Sequence, residues 1–146
     1  MNALDSALKA AMAADSGSGQ LATLSNGGIF QLVAPPNTAF NYTVFQKLLR
    51  QPTYGFGNSS RAGHFFYQIK HFSVDGANNT TKSGQEAAGL MADRAVVLLT
   101  NPSLSVSGQT VISCRFDRSI PDFAERDEAN DRFVYSKGGI YEVWLS

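Results

Sequence analysis

The sequence predicts a single α+β domain spanning residues 1–146, with elements in the order α-β-β-β-α-β-β and a mixed or mostly antiparallel sheet of about four to five strands. Two stretches carry this reading. Arg61 to Val74 is dense in aromatic and β-branched side chains, which suit a half-buried pleated surface and predict a long strand. After a polar break at Asp75–Lys82, Ser83 to Thr100 sets Ala87, Leu90, Met91, Val97 and Leu98 at helical spacing, which predicts a helix with one apolar stripe. The strand needs a cover and the helix needs a surface, so the pair is predicted to form the nucleus of the fold. A length of 146 residues is enough for one domain that buries roughly two-thirds of its unfolded surface.

The remaining elements follow in order. Asn2 to Ala14 predicts a helix, with Leu4, Ala7, Leu8, Ala11 and Met12 on one face and Asn2 as its cap. Asp15-Ser-Gly-Ser-Gly19 ends it. Leu21 and Leu24 are expected to tuck in before a turn at Asn26-Gly-Gly28. Ile29–Ala34 reads as a short strand stopped by Pro35-Pro36, which cannot donate to a ladder. Asn41–Arg50 reads as a second strand in which Tyr42, Val44 and Gln46 alternate with Thr43, Phe45 and Lys47. Its end, Phe45–Leu49, is equally compatible with a helical turn. Gln51–Gly63 holds three glycines and one proline around Tyr54 and Phe56, and predicts a long hairpin loop.

Beyond the central helix, Asn101-Pro102 is a stop. Leu104 and Val106 lead through Gly108 into a strand at Thr110–Arg118. Asp122–Arg132 holds five acidic and two basic residues and reads as a solvated loop or a fraying helical turn. Phe133–Ser136 and Ile140–Leu145 read as strands on either side of Lys137-Gly-Gly139. In the second, Tyr141, Val143 and Leu145 alternate with Ile140, Glu142 and Trp144.

Composition narrows the function classes. Twelve basic residues balance twelve acidic ones, so bulk attraction to nucleic acid or membrane is not expected. The neutrality hides an asymmetry: residues 1–74 carry five basic and two acidic side chains, residues 75–146 seven and ten. Such a dipolar chain suits head-to-tail association of identical subunits, and ordinary surface scatter produces it equally well. The lone Cys114 excludes an internal disulfide and a multi-cysteine zinc site, and in a strand-like run it is expected to be a small buried hydrophobe. No apolar run approaches the roughly 18 residues that span a bilayer, and no secretory leader is recognised. The four glycosylation-type triplets at Asn41, Asn58, Asn78 and Asn79 are therefore expected to be chance matches.

A catalytic pattern is not found. His64 and His71 stand seven positions apart in one predicted strand, hence on opposite faces, and cannot share a metal there. No phosphate-cradling loop or nucleophile elbow occurs, and Gly55-Phe-Gly57 lacks the third glycine of a dinucleotide site. The carboxylates Asp122, Glu125, Asp127, Glu128 and Asp131, interleaved with Arg126 and Arg132, read as a self-paired surface rather than an acid/base or Mg²⁺ cluster. No catalytic, cofactor-binding or metal-binding residue is assigned, and the chain is not expected to be an enzyme.

Several segments taken together resemble a known family. They are Gly27-Gly-Ile-Phe30, Pro35-Pro36, Tyr42-Thr-Val-Phe45, Phe65-Phe-Tyr-Gln-Ile69, the helix Glu86-Ala-Ala-Gly-Leu-Met-Ala-Asp93, and Ile140-Tyr-Glu-Val-Trp-Leu145. Their order resembles the tail-completion, or tail terminator, proteins of long-tailed bacteriophages. The resemblance implies a structural virion protein with its two helices packed on one face of the sheet. It implies a homo-oligomeric ring, usually a hexamer, that caps the tail tube, stops its polymerisation and meets the head connector. Genomic DNA would pass through the lumen without specific binding. The expected location is the phage tail or neck, after assembly in the host cytoplasm. Tyr54, Phe56 and Arg61 on the long loop are the candidate contacts for a neighbouring subunit or tail component. The Ser16–Gly19 insertion and the acidic 122–131 segment depart from the family pattern. A head-completion or adaptor protein of the phage neck is the alternative, and a small-ligand domain using His64 or His71 in an apolar pocket is a third.

Overall fold

The computed structural model describes residues 3–53, 62–77, 82–100 and 104–145. Within them run α1 (Ala3–Ala14), α2 (Leu21–Leu24), β1 (Ile29–Gln31), β2 (Tyr42–Thr53), β3 (Ala62–Val74), α3 (Gly84–Thr100), β4 (Val111–Ser119), β5 (Phe123–Asp127) and β6 (Arg132–Leu145). The sheet order is β1-β2-β3-β6-β4, and β5 pairs with the first part of β6. Only β1–β2 is parallel, so the sheet is mixed as expected, with six strands rather than four to five. The α+β class holds, with the short α2 as a third helix.

Alternation along the strands decides which side is covered. Phe45, Phe65, Tyr67, Ile69, Tyr141, Val143 and Leu145 are buried and form one cluster with Leu4, Leu8 and Met12 of α1, Leu21 of α2, and Met91, Ala95 and Leu99 of α3. All three helices therefore cover the same side of the sheet, and the odd-numbered residues of β3 and β6 face them.

The central helix has the expected period in a different phase. Its buried residues are Gly84, Ala88, Met91, Ala95 and Leu99. Of the stripe Ala87, Leu90, Met91, Val97, Leu98, only Met91 is fully buried; Leu90 and Val97 are exposed. The physical reason is volume. The covered side of the sheet already carries the large rings of Phe65, Tyr67 and Tyr141, and three of the five helix residues that meet it are glycine or alanine. At Gly84 an added Cβ would lie 2.5 Å from the Tyr135 ring and 2.8 Å from the Val74 backbone, so the helix starts hard against the sheet. The helix also packs over Phe65 and Tyr67, whereas Phe66 points to the other side. Leu90→Ala is accordingly expected to cost less than about 1 kcal/mol in urea denaturation.

Three other boundaries differ from the sequence reading. The first strand stops at Gln31, before the prolines, because Leu32 takes a left-handed conformation with φ 67° and sends its N–H to the Phe45 carbonyl. Phe45–Leu49 is strand, with a bulge at Leu48, and β2 runs on to Thr53 while β3 begins at Ala62, so 51–53 and 62–63, expected in the long loop, are strand. The stretches around Lys137-Gly-Gly139 are one continuous strand. Its glycines make room for neighbours instead of a turn: a Cβ on Gly138 would sit 2.0 Å from the Ile69 carbonyl oxygen, and one on Gly139 would sit 2.3 Å from the Phe116 ring.

Asp122–Arg132 is neither a loop nor a fraying helix. Phe123–Asp127 pairs with Arg132–Ser136, and the turn between them is a single 3₁₀ turn, Glu128–Asn130. Charges stabilise the hairpin across its width: Arg126 binds Asp131, Arg132 binds Asp127 at 3.2 Å, and Asn130 also donates to Asp127. Asp127 and Asp131 are thus paired within the acidic run, in a β-hairpin, while Asp122 pairs outside it with Lys137.

Candidate interaction surface

Among the described residues every helix lies on one side, and the opposite side of the sheet has no helix over it. Register places Tyr42, Val44 and Gln46 of β2 beside Phe72, Lys70 and Gln68 of β3. It then places His64, Phe66 and Gln68 beside Trp144, Glu142 and Ile140 of β6, and Arg115 beside Glu142. This bare face is aromatic at both ends, with Gln46, Gln68 and Lys70 among the residues between them.

At one end Glu142 organises a cluster. Its carboxylate accepts hydrogen bonds from His64 Nε2 at 2.5 Å, Arg115 Nε at 2.6 Å and Trp144 Nε1 at 3.1 Å. The His64 and Trp144 rings stack 3.8 Å apart at 13°. Burial pushes the Glu142 carboxyl upward, but the bonds from Arg115, His64 and Trp144 outweigh it and hold the group below its ordinary value. Every member has a partner, and the bonds tie β3, β6 and β4 together at this end.

At the other end Tyr42 stacks on Phe72 at 5.0 Å, with Phe40 and Phe30 against it and the Arg132 guanidinium over Phe40 at 5.0 Å. Beside this cluster runs a groove of about 270 Å³, with Lys70 and Phe72 on its floor and Leu32 and Val33 on its wall.

The covered side holds a separate polar chain. Ser25 Oγ lies 2.7 Å from Thr43 Oγ1, which lies 2.8 Å from His71 Nδ1, and Ser25 also reaches Met91 Sδ. Full burial lowers the His71 pKa from 6.5 to about 3, so the ring is neutral in the folded chain. An unfolded chain takes up that proton below pH 6.5 and the folded one does not until about pH 3. The stability contributed by the neutral ring is therefore complete above pH 6.5 and is lost as the pH falls through that window. Chemical denaturation at about pH 5 should give a stability lower by up to about 2 kcal/mol than at about pH 7.5, and His71→Gln should shrink the difference. The carboxyls of Asp15, Asp127 and Glu142 are held below their ordinary values by their hydrogen-bond partners, Arg94, Asn130 and Arg115 foremost.

The two histidines stand on opposite faces, as their spacing requires. Cys114 is buried, and burial raises its thiol to about 12. Tyr54, Phe56 and Arg61, the contacts chosen from the sequence, lie outside the described residues, as do Asn2 and the Asn101-Pro102 stop. Among the described residues no three His, Cys, Asp or Glu side chains are placed to hold a metal ion, and no helix is long and apolar enough to cross a membrane. The Glu142 cluster was missed in sequence because its members lie on three strands. The single signal was Glu142 and Trp144 two positions apart on one face, and only register adds His64 and Arg115.

No protein-family model matches the sequence, and no curated protein matches it. Among solved structures, the fold is similar to a chain from the virion of a native gene transfer agent particle. The TM-score is 0.62 and the identity 17%, over 97% of this chain and 93% of that one. At that identity the likeness establishes a shared fold.

Proposed function

We propose that this chain is a structural subunit of a phage-like virion and that it serves as a tail terminator. In this reading identical subunits close into a ring, a hexamer, which caps the tail tube and ends its polymerisation. One side of the ring then receives the head connector, and genomic DNA passes through the lumen without specific binding. The work is done by surfaces, with no catalytic step. The observation that carries the proposal is the near full-length likeness of fold to a chain of a gene transfer agent virion. The order of segments from Gly27 to Leu145 that resembles tail terminators adds the particular place in the particle.

Electron microscopy of particles assembled without this chain tests it. Tails of uncontrolled length that fail to join heads are the expected result. Tails of normal length beside unjoined, filled heads would move the assignment to a neck adaptor or head-completion protein. Normal particles would overturn both readings.

A further inference from the structure

The sheet is open at both edges, and the two edges are unlike. On one side β1 covers only Thr43–Phe45 of β2, and the exposed Leu32 and Val33, at 66% and 74%, stand beside the groove floored by Lys70 and Phe72. On the other side lies the β5–β6 hairpin with Phe123 and Phe133 exposed at 62% and 44%. Both lie on the bare face: Phe123 stands opposite Ser136, and Ser136 opposite Phe72, so one strand separates the hairpin ring from the groove floor of its own chain. The hairpin of a second copy can instead be laid into that groove.

Their chemistry is complementary in spacing and in charge. Lys70 and Phe72 are two residues apart on one face of β3; Phe123 and Glu125 are two residues apart on one face of β5. Two residues along a strand span roughly 6.6 Å, so each surface presents a ring and a charge at the same separation. The charges have opposite sign. Neither Lys70 nor Glu125 has an ion pair among the described residues, whereas Asp122, Arg126, Asp127, Asp131 and Arg132 around Glu125 are all paired. The hairpin stretch is acidic, and residues 1–74 are basic on balance.

Resting on the ring reading above, we propose that the β5–β6 hairpin of one subunit seats on the groove edge of a second copy, with Phe123 packed between Phe72 and the Leu32–Val33 wall and Glu125 paired to Lys70. The contact is heterologous, so each subunit gives its hairpin to one neighbour and receives one from the other. A closing rotation makes a ring.

Sedimentation velocity of the full chain and three charge variants tests this. Lys70→Glu and Glu125→Lys should each raise the concentration for half-assembly at least about tenfold, and the double exchange should restore assembly. Circular dichroism of each variant verifies that the fold is intact. Wild-type rings that persist in both single variants would overturn the docking while leaving the ring reading in place. Single variants that dissociate without rescue by the double exchange would also overturn the Lys70–Glu125 pairing. A wild-type chain that stays monomeric would overturn the docking and the isolated ring together, whereas the tail-length phenotype tests the terminator role independently.

Discussion

Replacing Tyr67 with alanine is expected to lower stability by about 3–5 kcal/mol, the range for emptying a large ring from a closed core. Tyr67 has no exposed surface and sits on the central strand between the sheet and the helices. Its hydroxyl donates to Asp5 Oδ1 at 2.5 Å, and Asp5 also accepts from Gln31 at 3.0 Å and lies 3.7 Å from Lys47 Nζ. Burial, and then the adjacent carboxylate, raise the phenol above its ordinary pKa, so it remains a donor throughout the working pH range. The alanine variant loses the ring's packing and removes a donor from a buried carboxylate at once. Tyr67→Phe separates the two effects: it keeps the ring and should cost about 1–3 kcal/mol for the missing donor. Urea denaturation of both variants checks this. A loss below about 1 kcal/mol in Tyr67→Ala would show that the layer between α1 and the sheet is not closely packed.

Met91→Ala is expected to cost about 2–5 kcal/mol. Met91 is fully buried at the middle of the helix face, and its sulfur accepts from Ser25 Oγ at 3.1 Å. Ser25 ends α2, so this contact joins the short helix to the long one. The neighbouring Leu90→Ala should be nearly silent. A cost at Leu90 equal to or above that at Met91 would invert the helix orientation described here.

The contrast between these two positions shows how far the sequence could be read. The existence of α3, its period and its placement on the sheet were all legible, because an alternation of apolar and polar residues is a local property. Its phase was not. Leucines at 90 and 98 outscore alanines at 88 and 95 on any hydrophobicity argument, and only the rings on the sheet explain why alanine is required. Lys137-Gly-Gly139 failed for a related reason. Glycines between two strand-like runs signal a turn locally, yet here they admit the Ile69 carbonyl and the Phe116 ring from strands distant in sequence. The acidic hairpin was hidden because exposed edge strands lack apolar alternation, and its cross-strand charge pairs are visible only once register is known. The same holds for the bare face. Parity placed the two histidines apart, but which face is covered depends on where all three helices land.

β6 is the last strand described along the chain, yet it stands in the middle of the sheet, with β3 on one flank and β4 and β5 on the other. During translation, a nascent chain that has emerged as far as Ser119 can pair β2 with β3, but nothing yet joins β4 to them. The core is also without Tyr141, Val143 and Leu145, which β6 supplies. Until residues 132–145 leave the ribosome, one flank of β3 presents unpaired backbone and apolar side chains, the condition under which nascent strands associate wrongly. Closure then depends on contacts between residues far apart in sequence, which slows it. Closure of this fold therefore waits until residues 132–145 have emerged, so heat or crowding should harm its production during synthesis more than they harm the folded protein.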